Sequence, residues 1–108
     1  MKIGLSGSHG FIGSALMKHF ANNPSLMLFP FDKTKHSLSS VESLKDFVEK
    51  KDIIIHLAGI IETKNVSDFY KINTLGTLNL LEAISRYAKK GVHFIFPSSF
   101  AVYEEIPG

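Results

Sequence analysis

Apolar residues along the chain alternate between short continuous runs and segments with helical spacing. The continuous runs predict strands over Lys2 to Ser6, Leu26 to Phe31, Ile53 to Ala58 and Val92 to Phe96. The periodic segments predict helices over Phe11 to about Ala21, Ser39 to Lys50 and Val66 to Lys89. This alternation requires crossover connections between parallel strands, so it predicts an α/β fold with a doubly wound parallel sheet.

Local signals refine the ends of these elements. Ser39 followed by Glu42 resembles a capping box and predicts the start of the second helix at Ser39. Gly91 is predicted to be the residue just beyond the end of the third helix. Pro30 lacks a backbone N–H, which favours an edge position or irregular pairing for its strand. His56 lies in the most hydrophobic strand, predicted to be central, and is expected to make a structural hydrogen bond.

Composition narrows the class of protein. The 108 residues suffice for one domain, and the net charge of +2 comes without a basic block, so we expect no nucleic-acid partner. Lys50-Lys51 and Lys89-Lys90 lie at predicted helix ends, where the dipole favours cations. Cysteine is absent and the five histidines have no metal-ligand spacing, so no metal site is expected. Without a signal peptide or membrane span, the expected location is cytoplasmic.

Three glycines follow the first predicted strand at intervals of three residues. Gly7 would allow a tight turn, Gly10 would let the backbone approach a pyrophosphate, and Gly13 would let the helix pack closely. Backbone N–H groups at a helix N-terminus bind anions, and the strand-turn-helix context strengthens this reading. The turn therefore predicts a dinucleotide site.

An acidic residue, Asp32, follows the second predicted strand. An Asp at this place accepts hydrogen bonds from the adenosine ribose and repels a 2′-phosphate, which favours NAD over NADP. Lys33 and Lys35 oppose this preference, since a lysine can pair with a 2′-phosphate. The alternative is that Asp32 only ends the strand in a turn.

Several segments together resemble one family. The loop Gly7 to Ser14 resembles the GGxGFIG loop of the extended short-chain dehydrogenase/reductases, which include NAD-dependent nucleotide-sugar epimerases, dehydratases and reductases. Asp52 to Gly59 resembles the family's D-x-V-I-H-L-A-A/G strand, and Asn73 to Ala83 its N-x-x-G-T-x-N-L-L-E-A helix. Phe94 to Tyr103 resembles its F-I-x-x-S-S-x-x-V-Y-G segment. The resemblance implies a Rossmann-type sheet, truncated after about the fifth strand of the family.

The resemblance also implies site residues. It places the catalytic serine at Ser99, which would hydrogen-bond the substrate oxygen and a catalytic tyrosine. It places cofactor contacts at Gly7, Gly10, Phe11, Ile12, Gly13, Asp32, Lys33, Ser37, Leu38, Leu57, Ala58, Gly59, Asn73 and Ser98. Ser37 stands where the family has an Asp that holds the adenine, so that contact is expected to be weaker. For Asn73 a solvent-facing position is the alternative. Gly76 lies within a predicted helix, which suggests a close contact there.

The catalytic YxxxK pair of the family is missing from these residues. Tyr70, Tyr87 and Tyr103 are each followed four positions later by a residue other than lysine. We therefore expect residues 1–108 to be the N-terminal part of an NAD(P)-binding domain, without the substrate-binding portion. Its last strand, over 92–96, would then be an apolar edge, which favours self-association into a homo-oligomer.

The function expected from the resemblance is hydride transfer at C4 of a nicotinamide, with a nucleotide-sugar as the substrate. Phe100 and Ala101 differ from the Asp-Glu pair of dehydratases, which favours an epimerase or a reductase. One alternative is a non-catalytic NAD(P)-binding regulatory or redox-sensing protein. Another is a structural remnant whose site no longer binds.

Overall fold

The secondary structure follows the predicted alternation of strands and helices. The computed structural model describes residues 1–8, 10–57 and 71–96. Its strands are β1 (Lys2–Ser6), β2 (Met27–Pro30), β3 (Ile53–His56) and β4 (His93–Ile95). Its α-helices are α1 (Phe11–Phe20), α2 (Lys45–Val48) and α3 (Gly76–Tyr87), with a 3₁₀ turn at Glu42–Leu44 and a π turn at Lys71–Leu75. Parts of the third predicted helix and strand, including Ala58, lie outside the described residues.

The four strands form one parallel sheet in the order β2-β1-β3-β4. Ile3 pairs with Leu28 on one side and with Ile53 on the other, while Ile54 pairs with Phe94. The chain moves outward from β1 to β2 and then crosses back to β3, so its winding direction reverses between β1 and β3. This confirms the doubly wound α/β prediction and puts a crevice at the carboxyl ends of these two strands. β2, with Pro30, is an edge strand of the described sheet, as predicted.

A hydrophobic core cluster lies between one face of the sheet and the helices α2 and α3. Its buried members are Leu44, Phe47, Val48, Ile54, Leu80 and Ala83. A Cβ atom added to Gly4 of β1 would lie 3.2 Å from the Phe47 carbonyl oxygen, so α2 packs directly on the first strand. Among the described members of this cluster none comes from α1, which agrees with right-handed crossovers that put α1 on the other face.

The second helix begins later than predicted, and the prediction of a capping box at Ser39 is wrong. The residue before the 3₁₀ turn is Val41, which makes no side-chain cap. The Ser39 hydroxyl instead lies 2.7 Å from the Ser37 hydroxyl, and the Ser43 hydroxyl donates to the Ser40 carbonyl at 2.8 Å. Local bonds among these serines satisfy the backbone that a helix would otherwise use, because short hydroxyl side chains compete with helical hydrogen bonds.

The end of the third helix also differs from the prediction. Ala88 is extended, with ψ of 153°, and its N–H still donates to the Ile84 carbonyl at 3.1 Å. The helix therefore ends at Tyr87, and Gly91 is not its capping residue. Gly91 has a φ of +86° in the turn before β4, where a residue without a side chain is favoured.

One lysine of the predicted pair at the end of α2 is buried. Lys51 is only 7 % exposed, and its Nζ donates to the carbonyls of Asp46 and Glu49, both at 3.3 Å. The ammonium also lies 4.5 Å from the centre of the Phe29 ring. Burial lowers the pKa of Lys51. Carbonyls at the C-terminal end of a helix and an aromatic face both attract a cation, which offsets part of the cost of burying it.

Candidate dinucleotide site

The glycine turn after β1 depends on missing side chains. Gly7 has a φ of +75°, a conformation that favours glycine. The Gly10 N–H donates to the Gly7 carbonyl at 3.0 Å and closes the turn. A Cβ atom added to Gly13 would lie 1.9 Å from that same carbonyl oxygen, so α1 can approach β1 only with glycine at this position. At Gly10 the corresponding distance is 3.4 Å, an ordinary contact.

The N-terminus of α1 opens onto this turn. Gly10 is its N-cap, no side chain among the described residues caps it, and its first turn contains no acidic residue. The two residues that follow are exposed, Phe11 by 93 % and Ile12 by 58 %. Below them, the Ser14 hydroxyl donates to the Ser8 carbonyl at 3.2 Å and ties the helix to the turn. The arrangement therefore presents backbone N–H groups and the positive end of a helix dipole to an anion.

The turn after β2 is built from side chains. The Phe31 N–H donates to the Leu5 carbonyl at 2.8 Å, so Asp32 begins its turn one strand away from the glycine turn. Thr34 donates to Asp32 Oδ1 from its backbone N–H at 2.9 Å and from its hydroxyl at 2.7 Å. The hydroxyl of Thr34 is the main cause that lowers the pKa of Asp32. Asp32 is therefore an anion held in a defined turn beside the crevice.

A buried histidine supports this turn from below. His36 is 7 % exposed, and its Nδ1 accepts the backbone N–H of Asp32 at 3.0 Å. Its Nε2 lies 3.4 Å from Asp46 Oδ2. The ring also lies between Phe31 and Phe47, with centroid distances of 5.3 and 5.5 Å. These contacts join the turn to the hydrophobic core.

The second buried histidine, His56, links the strands beside the crevice. Its Nδ1 lies 2.7 Å from the Ser6 hydroxyl, and its Nε2 lies 3.1 Å from the Thr77 hydroxyl. The Leu57 N–H donates to the same Ser6 hydroxyl at 3.0 Å. Burial lowers the pKa of His56, so the neutral ring, which donates at one nitrogen and accepts at the other, is favoured. The predicted structural hydrogen bond of His56 is thus confirmed.

The remaining predicted contacts are distributed around this edge of the sheet. Lys33 and Ser37 are exposed in the turn after β2, and Leu57 is half-buried after β3. Leu38 packs against Gly76, where an added Cβ would lie 3.2 Å from Leu38 Cβ, which explains the glycine in that helix. Asn73 is half-buried in the π turn. Ala58, Gly59, Ser98 and Ser99 lie outside the described residues.

Three residues of the site were not predicted from the sequence: Thr34, His36 and Asp46. Thr34 follows Asp32 at the spacing of an Asx turn, so the pattern Asp-x-Thr is a local signal that could have indicated it. His36 and Asp46 meet only because α2 packs against the turn, and their ten-residue separation corresponds to no motif.

Among residues 1–8, 10–57 and 71–96, no group of three or more His, Cys, Asp or Glu side chains could hold a metal ion. No helix within the same ranges has the length and apolar character needed to cross a bilayer.

Comparison with known proteins connects this geometry to a family. The model of the NAD dependent epimerase/dehydratase family matches residues 3–108. The chain belongs to this family. Two curated relatives are the UDP-2-acetamido-2,6-beta-L-arabino-hexul-4-ose reductase of Pseudomonas aeruginosa, 30% identical over 99 residues, and the GDP-6-deoxy-D-talose 4-dehydrogenase of Aggregatibacter actinomycetemcomitans, 35% identical over 100 residues.

Solved structures of other proteins show the same fold. RMD from Pseudomonas aeruginosa, complexed with NADPH, is 30% identical and matches 99% of this family member with a TM-score of 0.79. A short-chain dehydrogenase/reductase superfamily protein from Agrobacterium tumefaciens, with bound NAD, is 25% identical and matches 99% of it with a TM-score of 0.74.

This family member spans only part of its relatives. The alignment with the Pseudomonas reductase includes 92% of this chain but only 25% of the reductase. The alignment with the Aggregatibacter dehydrogenase includes 85% of this chain but only 34% of the dehydrogenase. In the two solved structures this chain covers 38% and 35% of the other chain. The family match over residues 3–108 includes the glycine turn and the Asp32 turn.

Proposed function

We propose that residues 1–108 form the nicotinamide-dinucleotide-binding portion of an epimerase/dehydratase-type enzyme. The observation that carries this proposal is the turn at Gly7, Gly10 and Gly13. A Cβ at Gly13 would lie 1.9 Å from the Gly7 carbonyl oxygen, so the N-terminus of α1 can pack against the turn and form a cradle only with glycine at this position. Such a cradle fits a pyrophosphate, because its N–H groups and helix dipole favour an anion.

NAD is the cofactor we propose in preference to NADP. Asp32 is an anion next to the glycine turn, where it would accept hydrogen bonds from the ribose hydroxyls and repel a 2′-phosphate. Lys33, Thr34 and Lys35 are exposed in the same turn and provide the opposing, phosphate-binding chemistry. Relatives solved with NADPH and with NAD indicate that both dinucleotides occur among proteins of this fold.

The reaction we propose is oxidation or reduction of a nucleotide-sugar. When bound, a nicotinamide dinucleotide accepts or donates a hydride at C4 of its ring. Ser99 would hold the substrate oxygen by a hydrogen bond. The two curated relatives are named for a UDP-sugar reductase and a GDP-sugar dehydrogenase, which supports this substrate class.

Binding rather than turnover is the activity we propose for these 108 residues alone. No tyrosine in them has a lysine four positions later, so the pair that would move a proton is absent from this segment. This also keeps a non-catalytic, dinucleotide-binding regulatory protein as the second candidate. A cytoplasmic location and self-association through the β4 edge, where Ile95 is 45% exposed, remain predictions.

Calorimetric titration of the 108-residue chain with NAD and with NADP tests the proposal. We expect NAD to bind more tightly, and Asp32→Asn to weaken NAD binding about tenfold, because a charge-assisted hydrogen bond is lost. Glu42→Gln is the matched control, since it removes another exposed carboxylate, one that lies 3.8 Å from Arg86. A folded wild-type chain that binds neither dinucleotide would contradict the proposed function.

A further inference from the structure

His36 is a buried titratable residue that the proposed function does not use. We propose that it is the positioning residue for the adenosine ribose: it fixes the backbone of Asp32 so that the carboxylate faces the ribose hydroxyls. This inference rests on the dinucleotide-binding function proposed above. In this role His36 does not contact the cofactor and acts only by positioning Asp32.

The protonation pattern of the ring follows from its two neighbours. Nδ1 accepts the N–H of Asp32 at 3.0 Å, so this nitrogen carries no proton. A neutral imidazole then carries its proton on Nε2, which faces Asp46 Oδ2 at 3.4 Å. Asp46 is well exposed, with 76% of its side chain accessible, and stabilises this tautomer from the surface. The contact between His36 and Asp46 therefore keeps Nδ1 of His36 without a proton, so that it can accept the Asp32 N–H.

The ring itself is held by the core. His36 lies 5.3 Å from Phe31 and 5.5 Å from Phe47, and Phe47 is 2% exposed beneath the sheet. Phe31 and Phe47 also meet edge to face at 5.4 Å. Three rings in mutual contact have little freedom to rotate. The position of Nδ1, and with it the position of the Asp32 amide, is therefore set by packing.

The carboxylate of Asp32 is oriented by the turn that this amide begins. The backbone carbonyl of Asp32 accepts the N–H groups of Lys35 at 2.9 Å and of His36 at 2.7 Å. Its Oδ1 accepts both the N–H and the hydroxyl of Thr34. With Oδ1 held in this way, Oδ2 is the oxygen that would accept from the ribose. Without an acceptor at Nδ1, the partly buried Asp32 amide would lose its partner and the turn would shift.

The test is a cycle of protein variants against two ligands, measured by calorimetry on the full 108-residue chain. The ligands are NAD and an NAD analogue that lacks the 2′-hydroxyl of the adenosine ribose. The first variant is His36→Gln, whose side-chain amide lies too far out to replace Nδ1 as an acceptor. The second is His36→Asn, whose Oδ1 takes the place of Nδ1 and can accept the Asp32 N–H. His93→Gln is the matched control, because His93 is an exposed histidine on β4 at the opposite edge.

In the wild type, removing the 2′-hydroxyl should weaken binding about tenfold. In His36→Gln, NAD itself should bind about tenfold more weakly, and removing the hydroxyl should then cost less than about threefold, because the two changes break one interaction. His36→Asn should restore most of both effects, and His93→Gln should match the wild type. An unchanged hydroxyl penalty in His36→Gln, or no rescue by Asn, would overturn the positioning role while leaving dinucleotide binding intact. Absence of NAD binding to the folded wild type would overturn the proposed function as well.

A second measurement keeps the inference testable if His36→Gln does not fold. Nuclear magnetic resonance of the wild type should show a scalar coupling between the Asp32 amide nitrogen and His36 Nδ1, as expected across an N–H···N hydrogen bond. Asp46→Ala changes only a surface side chain, and should weaken NAD binding about threefold by destabilising the Nε2-protonated tautomer. No coupling in the wild type, or unchanged affinity in Asp46→Ala, would contradict the inference.

Discussion

The turns at the carboxyl ends of β1 and β2 are neighbours in the sheet but are built in opposite ways. The β1 turn depends on absent side chains: Gly7 has a φ of +75°, and Gly13 leaves room for a carbonyl that a Cβ would strike. The β2 turn depends on side chains that are present: Thr34 holds the carboxylate of Asp32, and His36 holds its amide. The first turn is therefore sensitive to added atoms and the second to removed ones.

This contrast predicts the largest effect for an added methyl group at Gly13. In Gly13→Ala the new Cβ would lie 1.9 Å from the Gly7 carbonyl oxygen, so α1 or the turn must move. We expect the free energy of unfolding to fall by about 3 kcal/mol or more, because the added methyl group is forced into a site that is already packed. Urea denaturation followed by circular dichroism measures this change.

Gly10→Ala is the control for that prediction, because it adds the same methyl group three residues earlier. Its Cβ would lie 3.4 Å from the same carbonyl oxygen, and the expected loss is about 1 kcal/mol, typical of Ala replacing Gly at an N-cap. Equal stabilities of the two alanine variants would show that close packing at Gly13 is not what holds the glycine turn.

A smaller effect is expected from pH, acting on the strand ends beneath the glycine turn. Burial lowers the pKa of His56 below its ordinary value of 6.5, so below that pH the unfolded chain binds a proton more readily than the folded one. The free energy of unfolding should therefore fall as the pH drops from 6.5 towards the lowered pKa, with a slope of at most about 1.4 kcal/mol per pH unit.

Urea denaturation between about pH 7.5 and 5.5, the range in which histidine side chains titrate, measures this slope in the wild type and in His56→Asn. The variant keeps a polar side chain near Ser6 but cannot titrate, so its profile should be flatter. His19→Asn, at an exposed position of α1, should keep the wild-type slope. Parallel profiles for the wild type and His56→Asn would contradict a linkage through this histidine.

The smallest expected effect concerns the carboxylate of the β2 turn. Thr34→Val removes the hydroxyl that is the main cause of the lowered pKa of Asp32, so the pKa should rise towards 3.8. Titration of the carboxyl carbon by nuclear magnetic resonance measures the pKa. Thr34→Ser retains the hydroxyl and should keep the wild-type value; a rise in Ser as large as in Val would show that the hydroxyl does not hold Asp32.

Much of the framework could be predicted from the chain because its causes are local. The strand over Lys2–Ser6 was predicted with its observed bounds, and the helix that follows differs by one residue. The glycine turn could be recognised because its geometry depends on three residues within seven positions. The prediction of a capping box at Ser39 was wrong because nearby serine hydroxyls form hydrogen bonds with the same backbone segment: the Ser39 N–H donates to the Ser37 hydroxyl, and the Ser43 hydroxyl donates to the Ser40 carbonyl.

The partners of the buried polar groups could not be predicted in this way. Lys51 appeared as one of two cations at a helix end, yet it is buried against Phe29, which lies on β2. His36 appeared as an isolated histidine, yet it joins the Asp32 turn to Asp46, which lies ten residues beyond His36 in the chain. Such contacts depend on where α2 packs against the sheet, which no local pattern encodes.

By itself, the sequence determined the order of the elements, the doubly wound sheet and the glycine turn, because periodicity and glycine chemistry act over a few neighbouring residues. The family match over residues 3–108 agrees with those features. Only the tertiary structure decided which polar side chains support the site. Burying a histidine or a lysine is favourable only when distant elements supply its partners, and those elements meet only in the folded chain.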